Sequence, residues 1–258
     1  MSVLDVPLET YVVNWEEFRD LQRAFLMASV ANVEAPTDHG IAGCVFRTAV
    51  QHRTRYIADG TNVVTEGIAV PSYGHRYTDL RQLKDIHRRF GTVRLRTFPT
   101  LGLLRRAWYT KVKGVRVISP LNYVNYQKAH AIEVLRRELD WRPYSGKHGE
   151  SIITRFHQAY ILRRKFQVDK RRAHLSCLIY SGQLSRESAL ETLEASPDDL
   201  LEANRDRVFV IKKLGFTEAE FEAIMGEAPV DSYSYRNDDW QRRLISGLKR
   251  VCRVFRSV

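Results

Sequence analysis

No cysteine of this 258-residue chain stands in a CxxC pair. The three present, Cys44, Cys177 and Cys252, are far apart and odd in number, which signals neither a disulfide framework nor a cysteine zinc site. A reducing cytoplasm is the compartment that fits. Long apolar runs are lacking too. Hydrophobic residues make up 44% of the chain, yet no run approaches the roughly 20 residues that a membrane span needs. The start, MSVLDVPLET, has an acid at Asp5 and no apolar core, so no secretory leader is expected. Acids are scarce beside bases, 30 against 41, for a net charge of +11. The excess recurs at residues 84–96, 105–116, 163–172 and 242–256 rather than in one tail. Such a balance points to an anionic partner: nucleic acid, a membrane surface or phosphorylated small molecules. Internal repeats and low-complexity segments are absent.

The chain reads first as strand and helix in alternation. Residues 8–13 (LETYVV) read as a short buried strand, and Asn14 can cap a helix carried by Phe18, Leu21, Phe25 and Leu26. Pro36 breaks the chain, Thr37 or Asp38 caps a second helix, and Ile41, Val45 and Phe46 continue it. Residues 55–59 (RYIAD) read as a strand ending in Gly60, Thr61 and Asn62, with Glu66 shortly after. This is the grammar of a parallel α/β sheet, whose ligands lie outside the carboxyl ends of its strands. Residues 79–90 form a basic amphipathic helix in which His87 lies on the apolar stripe, as a packed or half-buried histidine would. Strands are expected at 93–98 and 115–119. Beyond Asn122 the pattern turns helical, at 124–139, 185–194, 197–214 and 217–225. A domain boundary is therefore placed near Asn122, dividing the chain into 1–122 and 123–258.

The densest chemistry lies at 141–176, WRPYSGKHGESIITRFHQAYILRRKFQVDKRRAHLS. Gly146 and Gly149 bracket Lys147 and His148, a tight loop before a helix that Glu150 or Ser151 opens. Asp169 can cap a second helix that begins Lys170-Arg171-Arg172 and contains His174. Two helix N-termini facing one place would attract anions. The alternative is a pair of surface helices with a solvated basic face.

YSGKHGESIITRFHQAYIL followed by FQVDKRRAHLS resembles the C-terminal signature of the N-acetyl sugar amidotransferases. These belong to the PP-loop ATP pyrophosphatase superfamily and act in bacterial surface-polysaccharide synthesis. PTDHG and ADGTNVVTEG resemble two nucleotide-domain motifs of that family, which places Thr37, Asp38, His39, Gly60, Thr61, Asn62 and Glu66 on cofactor-binding positions. The fold implied is α/β: an incomplete parallel-sheet, nucleotide-hydrolase-like domain followed by a mainly helical C-terminal domain. The reaction implied converts an N-acetylamino group of a nucleotide sugar to an acetamidino group, with ATP and Mg, in lipopolysaccharide or O-antigen synthesis. Arg155, Asp169, Lys170, Arg171 and Arg172 are then the substrate- and phosphate-binding set. Lys147, His148, Glu150 and His174 are the catalytic candidates, with His148, His174 or Glu150 as the base. No metal site of the protein's own is expected, since His148 and Glu150 are two apart and cannot face one ion on a helix.

The superfamily's Ser-Gly-Gly-x-Asp-Ser phosphate loop and the family's cysteine-bearing N-terminal segment are not in the sequence, so a truncated chain is the expectation. Cys44 and Cys177 sit in apolar settings without a nucleophile elbow. Ammonia is expected from a partner glutaminase or from solution. Two other readings stay open: a PP-loop-like tRNA modifier, which suits the charge but lacks any RNA-binding module, and a catalytically inactive binding protein. Nucleic acid is not the expected partner. The tail, 238–258, is a basic amphipathic helix that either docks on the domain or lies on the inner face of a membrane from the cytoplasm.

Overall fold

Asn14 begins the first helix as its sequence suggests. Its side-chain oxygen accepts from the backbone N–H groups of Glu16 and Glu17 at 3.0 and 3.2 Å, satisfying donors that a helix start leaves open. The computed structural model of the chain describes residues 4–68, 70, 74–142, 151–194 and 198–254. In it, α1 (Trp15–Met27) and α2 (Ala35–Gln51) are followed by β1 (Tyr56–Ala58), α3 (Val63–Glu66), α4 (Leu80–Phe90) and α5 (Leu103–Ala107). A π-helical turn, Trp108–Val112, extends α5 and leads to β2 (Arg116–Ile118). Helix α6 (Lys128–Leu139) comes next. The stretch that holds α7 (Ile152–Phe156), a π-turn at His157–Ile161 and α8 (Leu162–Lys165) runs without a break. Then come α9 (Lys170–Tyr180), α10 (Arg186–Glu194), α11 (Asp198–Leu214), α12 (Glu218–Gly226) and α13 (Asp239–Val254). The protein is mainly helical with one small sheet, in which β1 and β2 pair in parallel with Ile57 opposite Val117.

Three apolar clusters hold these elements. One joins Leu26 and Val33 to Phe156, Ile161, Val210, Leu214 and Phe221, so it draws on both sides of Asn122. A second packs Leu21 and Phe25 of α1 against Leu83 and Ile86 of α4. A third sets Phe46 and Ala49 of α2 against Leu101, Tyr109 and Val115. Close approach matters at Gly43: a Cβ there would stand 2.4 Å from the Pro99 carbonyl oxygen, so α2 can lie on that loop only because the position is bare.

Three expectations are corrected. Pro36 does not break the chain; it sits in the first turn of α2, which starts at Ala35, where a missing N–H costs nothing. Asp38 thus lies inside that turn rather than capping it. Residues 8–13 make no strand. Val12 is 83% exposed, and the segment is held by side chains: the Tyr11 hydroxyl donates to the Thr97 carbonyl, and Arg47 lies 4.7 Å over its ring. Residues 93–98 make no strand either, because their backbone donors are taken by buried carboxylates. Asp20 accepts from the N–H of Thr92 and of Val93, and Glu17 from the N–H of Thr97 and of Phe98, at 2.8–3.1 Å.

Burial pushes both of these carboxyls up, but the hydrogen bonds they accept outweigh it and hold them below the usual range. His87 packs beside them, 3.1 Å from Asp20. Glu17→Ala strands two backbone donors at once, so it is expected to cost on the order of 3 kcal/mol. A urea midpoint equal to wild type would remove this role.

Candidate functional site

The signature helices do not project their basic residues into solvent as a block. Ser151 caps α7 by accepting from Thr154, and Asp169 caps α9 by accepting from the Arg171 N–H at 3.0 Å. Arg155 forks onto Asp206 of α11, with 2.6 and 2.8 Å contacts. Arg163 and Arg171 both reach Asp169 at 2.9 Å. Burial raises the Asp169 carboxyl, but its hydrogen bonds to Arg171 and Arg163 outweigh that and bring it to about 2. These contacts use charge to dock helices. Arg172 is exposed on α9 and His174 half-buried on it. Lys147, His148 and Glu150 lie outside the described residues.

Lys170 turns the other way. Its ammonium lies 3.6 Å from a carboxylate oxygen of Glu34, at the start of α2. The same oxygen is 3.0 Å from Nδ1 of His157, whose Nε2 is 2.9 Å from the Ala31 carbonyl. Carboxylate and carbonyl both accept only, so both are satisfied only if the imidazole donates from both nitrogens. The ring is 2% exposed. Burial works against ionisation of Glu34, yet the hydrogen bond and charge of His157, the charge of Lys170 and a hydrogen bond from Thr154 bring it to about 2.

One turn on, Asp38 has the opposite fate. It reaches solvent, yet neighbouring protein still desolvates its carboxyl. Desolvation and the nearby Glu34 charge push its carboxyl up to about 6, against the pull of Lys170 and His157. Tyr77 faces the same place. Burial and the charges of Asp38 and Asp59 raise its hydroxyl, while Arg106 draws it down.

Asp59 closes the carboxyl end of the sheet. Its N–H bonds to the Ile118 carbonyl and its side chain accepts from the Thr61 N–H at 2.9 Å. Beside it, Thr61 is 3.4 Å from the Ser119 hydroxyl, and Asn62 caps α3 by accepting from Thr65. Helix α3 rests on α9, and an apolar cleft of about 470 Å³ opens between Val63, Val64, Ile68, Cys177 and Tyr180.

Tyr77 feels the charges of both Asp38 and Asp59, so the first turns of α2 lie near the carboxyl end of the sheet, with Thr37 half-buried beside Asp38 and Glu66 exposed at the end of α3. At Gly60 a Cβ would meet nothing within 4 Å. His39 is buried among the backbone instead. Its Nδ1 is 2.7 Å from the Tyr77 carbonyl and its Nε2 accepts from the Leu101 N–H at 3.0 Å, and burial lowers its pKa. It holds the 98–101 loop and has no ring nitrogen left for a ligand. Glu34, Tyr77, Arg106 and His157 were not among the expected site residues. Glu34 carries no motif signal. For His157 the clue was its place one helical turn before Ile161 on a buried face.

Separately, His75, Asp79, Asp238 and Asp239 cluster with ligand atoms within 4.8 Å of one another. Asp79 caps α4, and Arg76 and Arg242 neutralise Asp238 and Asp239.

Residues 150–247 match the family model described as LPS biosynthesis protein WbpG-like, C-terminal domain. The match supports a WbpG-like lipopolysaccharide-biosynthesis protein. No curated protein and no solved structure matches the chain. Among the described residues, no helix is long and apolar enough to cross a membrane.

The raised Asp38 carboxyl has a consequence for stability. Its folded pKa exceeds the unfolded value of 3.8, so the ionised group opposes folding; the penalty is absent at low pH and grows as pH rises through about 6. Asp38→Asn is expected to raise the melting temperature at about pH 8 and leave it unchanged near pH 4. Equal shifts at both ends would show that Asp38 titrates normally.

Proposed function

We propose that this chain forms part of an ATP-dependent amidotransferase of lipopolysaccharide synthesis. The enzyme would act on the N-acetylamino group of a nucleotide sugar at the cleft beyond the carboxyl ends of β1 and β2. The observation that carries the reading is the neighbourhood of Asp38: a carboxyl at about 6 beside the Lys170 ammonium, at a sheet end where ligands of parallel α/β folds lie. The family match over residues 150–247 supplies the pathway class.

Bound ATP supplies the adenylyl group that makes the amide oxygen a leaving group, pyrophosphate departing, so that ammonia can displace AMP and leave an acetamidine. The residues near the sheet end suit the rest. Lys170 and Arg106 offer cations for phosphate oxygens. Asp38, partly ionised near neutrality, can take the proton that attacking ammonia sheds. Asp59 and Glu66, on either side of the Gly60-Thr61-Asn62 loop, are carboxyls that would hold magnesium through oxygen. Cys44 is half-buried and Cys177 buried, so ammonia would come from a glutaminase partner or from solution.

Calorimetric titration of the chain with a UDP-N-acetylhexosamine and with Mg-ATP tests this reading. Binding of at least one is expected, weakened about tenfold or more by Lys170→Ala, the usual effect of losing a charged hydrogen bond. Binding of neither ligand, or binding indifferent to Lys170→Ala and Arg106→Ala alike, contradicts it.

A further inference from the structure

Away from the cleft, α5 and its π-turn carry an exposed apolar stripe. Leu104 is 86% exposed, Trp108 44% and Val112 68%, and they recur every four residues. Beside them lies a groove of about 700 Å³ between α4, α5 and α13, lined by Leu104 together with Trp240, Leu244 and Ile245. Trp240 and Leu244 are 57% and 58% exposed. Two tryptophans and several aliphatic side chains thus share one face of three helices. Exposed apolar patches of this kind mark interaction sites.

The charge around the patch is mostly of one sign, and the acid that lines the groove, Asp238, is buried and paired with Arg242. Between Leu80 and Lys113 the sequence has ten lysines and arginines and a single acid, Asp85, which is buried and paired with Arg88 and Arg89. Arg81, Lys84 and Arg105 line the groove itself. Each tryptophan has a cation over its ring: Lys113 is 4.8 Å above Trp108, and Arg81 5.6 Å above Trp240. The described side chains of α13 add Arg242 and Arg243 against Asp239, and Asp239 is paired with Arg76.

We infer that this face docks on an anionic lipid surface, with Leu104, Trp108, Trp240 and Leu244 entering the headgroup–acyl boundary and Arg81, Lys84 and Arg105 meeting lipid phosphates. Apolar side chains on one face and basic ones around them are what interfacial helices use, and tryptophan prefers that boundary. A second copy of the chain is a poorer occupant, because symmetric pairing would press two cationic faces together. Nucleic acid would match the charge but leave Leu104, Val112 and Leu244 without a partner. The docking face is independent of the reading of the cleft.

The test is sedimentation of the full chain with phosphatidylcholine vesicles, with and without phosphatidylglycerol. Binding is expected only to the anionic vesicles and is expected to fall with salt. Each removed cation should weaken it about fivefold, so reversing Arg81, Lys84 and Arg105 to Glu should weaken it on the order of a hundredfold or more. Leu104→Glu with Leu244→Glu, both exposed positions that leave the core untouched, should abolish it. Three results would overturn the inference: equal binding to both vesicle types, retention by RNA without vesicle binding, or a dimer in solution that the paired Glu variants dissociate.

Discussion

The short connection from Ala28 to Glu34 is held from one side by a single helical segment, and the rest of the site depends on that grip. His157 and Lys165 lie eight residues apart on the unbroken stretch from α7 through α8. His157 binds the Ala31 carbonyl and the Glu34 carboxylate. The Lys165 ammonium binds the Ser29 hydroxyl at 2.8 Å and the Ile224 carbonyl. Ser29 itself adopts a left-handed backbone, φ 52°, which a non-glycine residue keeps only when its surroundings fix it. Removing one member of such a buried pair leaves a charge without its partner, at a cost of about 3–5 kcal/mol.

That grip explains how the signature segment and the α2 motif come to face each other. The Leu26–Phe156–Leu214–Phe221 core supplies the apolar adhesion, but adhesion alone does not fix rotation about the helix axis. The directional bonds do, and they leave Lys170 beside Glu34 with Asp38 one turn further on. Two carboxyls of one helical turn then diverge, Glu34 down to about 2 and Asp38 up to about 6. The difference comes from who holds the cations: Glu34 takes His157 and Lys170 at close range, and Asp38 is left with desolvation and a like charge. Carboxyls pushed apart in this way are what acid–base chemistry near neutrality requires.

Local signals in the sequence translated well. Asn14, Ser151 and Asp169 cap the helices they precede, because capping involves atoms two or three residues apart. That the 55–59 and 115–119 runs are strands, and that the sheet is parallel, followed from the strand–helix grammar; which strand pairs with which did not. What the sequence hid was tertiary. Residues 93–98 look like a strand until Asp20 and Glu17, 72 to 81 residues earlier, take their N–H groups. The basic run of the signature suggested phosphate contacts throughout, yet Arg155 is spent on Asp206, 51 residues away. No spacing rule shows which arginine has a distant acid to meet. Glu34 and Tyr77 were illegible for the same reason: each acquires its meaning only from neighbours brought by other elements.

Glu34 and its cations share with burial in setting the acidity of Asp38. The most direct measurement is the carboxyl titration of Asp38 by carbon NMR in the wild-type chain and in Glu34→Gln. With Glu34 neutral, the like charge is gone while desolvation, the larger cause, and the pull of Lys170 and His157 remain, so its midpoint should fall below about 6. A midpoint that stays near 6 in Glu34→Gln, or that is already ordinary in the wild type, would contradict the coupling on which the site is built.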